Sequence, residues 1–207
     1  NAFIQRFDAQ GHKVGGQTQL NSGFSGEPGS VIALEGGSYI VSWTDYVDSV
    51  WVNLAQRYDA QNQKVGDTFS VAGGLIGLTD GGYLEAWTDQ NTYDIHGQRY
   101  DEAGHAVGNE IVLHLPDMSG RPLTNIRALH DGGYIVAWDN FANGVNDGGF
   151  YAQQYDSLGN PVGDLQVVQT NRVTQGSPPG IAVLQNGAYV VTFDDYHIEE
   201  YGFNIYQ

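Results

Sequence analysis

"LEGGSYIVSWTD", Leu34–Asp45, returns three times along the chain. The copies are "LTDGGYLEAWTD" (Leu78–Asp89), "LHDGGYIVAWDN" (Leu129–Asn140) and "LQNGAYVVTFDD" (Leu184–Asp195). Such self-similarity marks a repeat architecture. In each copy a glycine (Gly36, Gly81, Gly132 or Gly187) stands where a tight hairpin needs positive φ. The strand after it alternates: Tyr39, Val41 and Trp43 share one face, Ile40 and Ser42 the other. Both faces carry buriable side chains, as expected of a sheet covered on both sides.

A second block alternates strictly with the first. It reads "QRFDAQGHKVG" (Gln5–Gly15), "QRYDAQNQKVG" (Gln56–Gly66), "QRYDEAGHAVG" (Gln98–Gly108) and "QQYDSLGNPVG" (Gln153–Gly163). The spacing of roughly 42–55 residues suits four short strands per unit. Strand a is short and apolar, as in "SVIAL" (Ser30–Leu34). Strand b is the alternating one. Strand c ends in the Gln-Arg-Tyr-Asp block, and strand d follows, as in "DTFSVA" (Asp67–Ala72). Asp8, Asp59, Asp101 and Asp156 fall where an Asx residue starts the c–d turn.

These units predict an all-β fold: a small β-propeller of four blades, each of four antiparallel strands. The chain starts at strand c and stops in a, b and the start of another c, "YGFNIYQ" (Tyr201–Gln207). The N- and C-terminal strands would then close the fourth blade together and remove exposed edges. Ala2–Ile4 and Ile205–Gln207 align to the same strand position, so a dimer formed through terminal strands is one expectation. Residues 1–207 read as a single repeat domain, and as a fragment of something longer.

Composition narrows the partners. Of 207 residues, 24 are Asp or Glu against 8 Lys or Arg, for a formal net charge of −16. Such a surface repels nucleic acid and anionic membranes. No apolar run reaches the ~20 residues of a membrane span, so no membrane insertion is expected. With zero Cys there are no disulfides and no thiolate metal sites.

Antiparallel order places the short, uniform a–b and c–d turns at one face of the blades and the variable b–c and d–a loops at the other. Individual contacts belong on the variable face. Its b–c loops read "TDYVDSVW" (Thr44–Trp51), "TDQNTYD" (Thr88–Asp94), "DNFANGVNDGG" (Asp139–Gly149) and "DDYHIEEYG" (Asp194–Gly202). Aromatic faces stack on sugar rings while carboxylates bond hydroxyls. Tyr46, Trp51, Tyr93, Phe141, Tyr196 and Tyr201, with Asp48, Asp94, Asp147 and Glu199, are therefore the candidate glycan contacts. Trp43, Trp87, Trp138 and Phe193 repeat at one strand position and read as core between blades.

Two residues beyond that position stand Asp45, Asp89, Asn140 and Asp195, a set of oxygen ligands for calcium. The competing reading has the same side chains capping the end of strand b through backbone amides. Glu85 stands where other units carry Val, and a salt bridge to a strand c arginine would account for it. With Asp194, Asp195, Glu199 and Glu200 it supplies the raw material for glycoside hydrolysis. His96 and His197 lie in or beside b–c loops, where a surface zinc site is conceivable.

The pattern "LHDGGYIVAW" with "DIHGQRYDEAGHAVG" resembles a repeat of large bacterial secreted and surface proteins, including calcium-binding adhesins of the repeats-in-toxin type. The resemblance implies export to the cell surface or beyond and cation-assisted folding outside the cell. Residues and resemblance together predict a noncatalytic extracellular binding module for a glycan or surface ligand. The rivals are a polysaccharide-active hydrolase or lyase and a protein–protein interaction module.

Overall fold

The computed structural model of the chain describes residues 2–20, 26–92, 94–113, 124–140, 148–172 and 179–193. The strands come in the order the repeat predicts. β1 (Phe3–Phe7) and β2 (Lys13–Gln19) pair as a two-stranded sheet. β3 (Pro28–Ala33), β4 (Tyr39–Val47), β5 (Val50–Tyr58) and β6 (Lys64–Ser70) form a four-stranded sheet in chain order. So do β7 (Gly74–Gly77), β8 (Tyr83–Thr88), β9 (Ile95–Tyr100) and β10 (Ala106–Leu113). A third four-stranded sheet holds β11 (Thr124–Ala128), β12 (Tyr134–Asn140), β13 (Gly148–Tyr155) and β14 (Pro161–Arg172). β15 (Gly180–Val183) and β16 (Tyr189–Thr192) form a last pair. The protein is all-β, with a lone 3-10 turn at Glu35–Gly37 among the described residues. It divides into two compact units, Asn1–Leu75 and Ile76–Gln207, with the boundary inside β7.

One device recurs at every c–d turn. The Oδ1 of Asp8 accepts the amides of Gln10 (2.9 Å) and His12 (2.8 Å). Asp59 does the same for Gln61 and Gln63, Asp101 for Ala103 and His105, and Asp156 for Leu158 and Asn160. This is the Asx role the spacing predicts.

A second device sits seven residues after each of these aspartates, where strand d bulges around a glycine in the left-handed region. Gly66 has φ +69°, a region that costs glycine nothing, and the β5–β6 register shifts between Ala55 and Arg57. Gln56 secures it: Nε2 donates to the carbonyls of Arg57 (2.9 Å), Val65 (3.3 Å) and Gly66 (3.3 Å). Gln5 and Gln153 make the equivalent three bonds, and Gln98 makes two. The first residue of the Gln-Arg-Tyr-Asp block is thus the clamp of its own bulge.

Tyrosines stack across the b and c strands. Tyr39–Tyr58, Tyr83–Tyr100 and Tyr134–Tyr155 have ring centroids 4.9–5.3 Å apart and interplanar angles of 12–14°. Stacking of this kind adds to the area each ring buries.

In the second unit, Leu78, Leu84 and Ile95 of one sheet pack with Ile126, Val136 and Trp138 of the next. The opposite face of that sheet, with Ile135, Ala137 and Ala152, packs on Ile181 and Val191. The β11–β14 sheet is therefore covered on both sides, which is why strand b is apolar on both faces. Trp43 and Trp138 are buried as predicted. Trp87 is half-buried, and Phe193, tilted against Phe150, is 40% exposed.

Glu85 is buried. It faces Gln98 across the ladder, and its charge and hydrogen bond help raise the Tyr100 hydroxyl above its usual pKa after burial, the largest cause. Arg99 faces Leu84, on the other side of the sheet, and pairs with Asp80.

Charge on these devices sets a pH window. The His12 and His105 amides hold the Asp8 and Asp101 carboxyls below the usual range, and the Asn160 side chain does so for Asp156. A depressed carboxyl contributes stability above its unfolded value, and that contribution is lost as pH falls through the folded value. Burial pushes the Tyr155 hydroxyl up to about 12 and raises Tyr134 as well. That contribution is complete below the unfolded value of about 10 and is lost as pH rises through the folded one. Urea midpoints measured from pH 2 to 12 are expected to fall below pH ~4 and again above pH ~10.

Candidate binding site

The stretch Thr44–Trp51 is not a loop. β4 and β5 continue through it in register, with Thr44 opposite Asn53, Asp45 opposite Val52, Tyr46 opposite Trp51 and Val47 opposite Val50. Only Asp48 and Ser49 form the turn, at φ +50° and +68°. Two positive φ values give a type I′ turn, whose twist matches the strands it joins.

The hairpin end is apolar and open. Tyr46 is 49% exposed and Trp51 is 58% exposed. They share one face, with ring centroids 5.2 Å apart and planes tilted by 56°. Val47 and Val50, on the opposite face, are exposed too. A cross-strand aromatic pair stiffens the ladder, so the two rings form a fixed platform crowned by Asp48.

Of the predicted contacts, this hairpin brings together Tyr46, Trp51 and Asp48. Asp94 is half-buried and closes the next b–c turn along the chain, where its carbonyl accepts the Asp89 amide at 2.9 Å. Tyr93, Phe141, Asp147, Tyr196, Glu199 and Tyr201 lie outside the described residues.

Asp45 and Asp89, two of the predicted cation ligands, bond backbone amides. Asp45 is buried, and its Oδ1 accepts the Tyr46 amide at 2.9 Å. Asp89 Oδ1 accepts the amides of Asn91 (2.7 Å) and Thr92 (2.8 Å), and the Thr92 amide chiefly holds its carboxyl below the usual range. Asn140 ends β12, and Asp195 lies outside the described residues. No three His, Asp or Glu side chains gather as a metal site among the described residues.

A second concavity lay hidden from sequence reasoning. Within the second unit a groove of about 730 Å³ runs along β10, lined by Glu110, Ile111 and Val112 on one side and by Gln153, Leu158 and Leu165 on the other. His96, set beside a loop by the sequence, stacks on Trp87 at 5.6 Å and bonds the Glu110 carboxylate through Nδ1. Trp138 and Tyr155 also reach the groove wall.

Neither a protein-family model nor a curated protein sequence matches this chain. Among solved structures, the endo-arabinase from Bacteroides thetaiotaomicron VPI-5482 is similar over 85% of this chain and 76% of that one, at 18% identity and a TM-score of 0.42. At that identity and score the likeness carries no assignment of activity.

Proposed function

We propose that the chain is a noncatalytic extracellular binding module that holds carbohydrate on the aromatic end of the β4–β5 hairpin. In this reading the half-blades β1–β2 and β15–β16 are two parts of one fourth blade, and the four blades close into a ring with the b–c turns on its rim.

The exposed pair Tyr46–Trp51 carries the reading. Two large rings held half in water by a rigid ladder are costly unless a ligand covers them. Sugar C–H faces stack on such rings, and Asp48 stands at the turn to accept a hydroxyl. A surface of net charge −16 favours neutral or cationic glycans over anionic ones.

A glycan array tests this, run with and without a chelator. Trp51→Ala is expected to lower binding of the best glycan at least ~tenfold and to lower the thermal midpoint by no more than about 4 °C, because one exposed cross-strand pair contributes at most about 1 kcal/mol. Loss of binding on chelation would support the calcium requirement that the repeat resemblance implies. Turnover of a polysaccharide without stable binding would favour the hydrolase or lyase. A concentration-dependent mass that collapses on deletion of residues 202–207 would favour strand exchange between copies.

A further inference from the structure

We propose that the inner rung of the β4–β5 hairpin, Thr44 and Asn53, is a second sugar subsite beside the aromatic pair, so that the ligand is a neutral oligosaccharide of two or more units laid along the strands. This second subsite rests on the carbohydrate reading of the same hairpin.

Equivalent positions in the repeat differ at this rung. Asn53 stands three residues before the clamp Gln56; three residues before Gln98 and Gln153 stand Ile95 and Phe150. Those two are buried, at 5% and 0% exposure, whereas Asn53 is exposed. The ladders agree on the equivalence. Asn53 pairs with Thr44, Ile95 with Thr88 and Phe150 with Asp139, each the residue after the strand b tryptophan. An amide therefore stands in water where two other copies bury a hydrophobe. Its side chain makes no hydrogen bond among the described residues, so its donors and its oxygen are open to a ligand.

Register brings this amide onto the aromatic face. Residues two apart on a strand share a face, and so do residues paired across an antiparallel ladder. Tyr46–Trp51 and Thr44–Asn53 are successive rungs of one face, with Asp45–Val52 between them on the other. The two rungs lie about 7 Å apart along the strands, which leaves room for a second ring beside the one stacked on the aromatics. Thr44 is held from its other side: Oγ1 accepts the Glu27 amide at 3.2 Å, and the Thr44 amide donates to the Glu27 carbonyl at 3.0 Å.

The chemistry of the rung selects the ligand. One edge of an amide offers a donor and an acceptor side by side, which matches a vicinal diol whose hydroxyls each donate or accept. Asp48 at the turn and the exposed Glu27 at the inner end place an acid at either end of the strip, in a chain of net charge −16. A uronic acid or a sulfated sugar would meet like charge there.

Homo-oligosaccharides of glucose, galactose, mannose and xylose, one to three units long, are titrated into the ¹⁵N-labelled full chain, with trigalacturonate as the anionic control. In the series that binds, the disaccharide is expected to bind at least ~fivefold tighter than the monosaccharide, and the Asn53 side-chain NH2 is expected to shift together with the Trp51 indole. Asn53→Ala and Asn53→Leu, the second returning the apolar character of the other copies, are each expected to remove that gain, so that the disaccharide binds no tighter than the monosaccharide. A Trp51 shift without an Asn53 shift, or a disaccharide advantage that survives both substitutions, overturns the second subsite and leaves the carbohydrate reading standing. Trigalacturonate binding as tightly as the neutral trimers overturns the selection of a neutral ligand. If no sugar shifts Trp51, the carbohydrate reading fails and the second subsite falls with it.

Discussion

Gly133→Ala is expected to destabilise the protein by about 3 kcal/mol or more, the largest effect of any single methyl added to a described turn. A Cβ at Gly133 would fall well inside van der Waals contact of the Tyr155 carbonyl, and within 3.2 Å of Asp131 Oδ1. Neither neighbour can give way cheaply. Tyr155 is paired with Tyr134 in the β12–β13 ladder, and Asp131 Oδ1 accepts the Gly133 amide at 3.0 Å. The added methyl must therefore open the ladder or break the Asx turn that starts strand b. Gly82→Ala, with the same approach to the Tyr100 carbonyl, is expected to behave alike. Gly16, whose added Cβ would meet nothing within 4 Å, is the control and should change stability by less than about 0.5 kcal/mol. Urea unfolding of the three variants makes the comparison.

Gln56→Leu follows, with an expected loss of about 2–4 kcal/mol. Leucine matches the volume but deletes the donor to three carbonyls and the acceptor of the Thr68 hydroxyl. Gln56 is 1% exposed, so no water replaces those bonds without disturbing the core. Gln5→Leu removes the same donor at a half-buried position, where water reaches the freed carbonyls. Its cost is expected to be less than half that of Gln56→Leu. Equal losses would mean that the amide acts through bulk rather than through its hydrogen bonds.

The scaffold was legible in the sequence because it is repeated. Strand order, the a–b and c–d turns and the Asx role of Asp8, Asp59, Asp101 and Asp156 each appear several times, and repetition separates pattern from accident. The clamp glutamines were present in every copy of the same block, yet their role was not read. A single side-chain amide bonding its own bulge leaves no trace in hydrophobic periodicity.

Other features depended on register. Glu85 and Arg99, the strand c arginine of its own sheet, cannot be assigned to one face from composition. Arg99 faces Leu84, so parity places Glu85 on the other face of the sheet with Gln98 and Tyr100. In Thr44–Trp51 the turn is Asp48-Ser49 rather than the usual Asn-Gly or Asp-Gly, which made an extended hairpin look like a loop. The palindromic order of Tyr46-Val47 and Val50-Trp51 was the available signal. The groove could not be read from any one repeat, since two different sheets supply its walls.

The chain's four tryptophans allow recognition at the hairpin end to be observed directly. Trp51 alone stands on the proposed platform; Trp43 and Trp138 are buried, Trp87 is half-buried, and Trp138 also borders the β10 groove. The indole N–H resonances are followed while the best glycan from the array is added. A saturable shift of the Trp51 resonance with the other three unmoved is the predicted result. An unmoved Trp51, or a shift confined to Trp138, would contradict carbohydrate recognition by the β4–β5 hairpin.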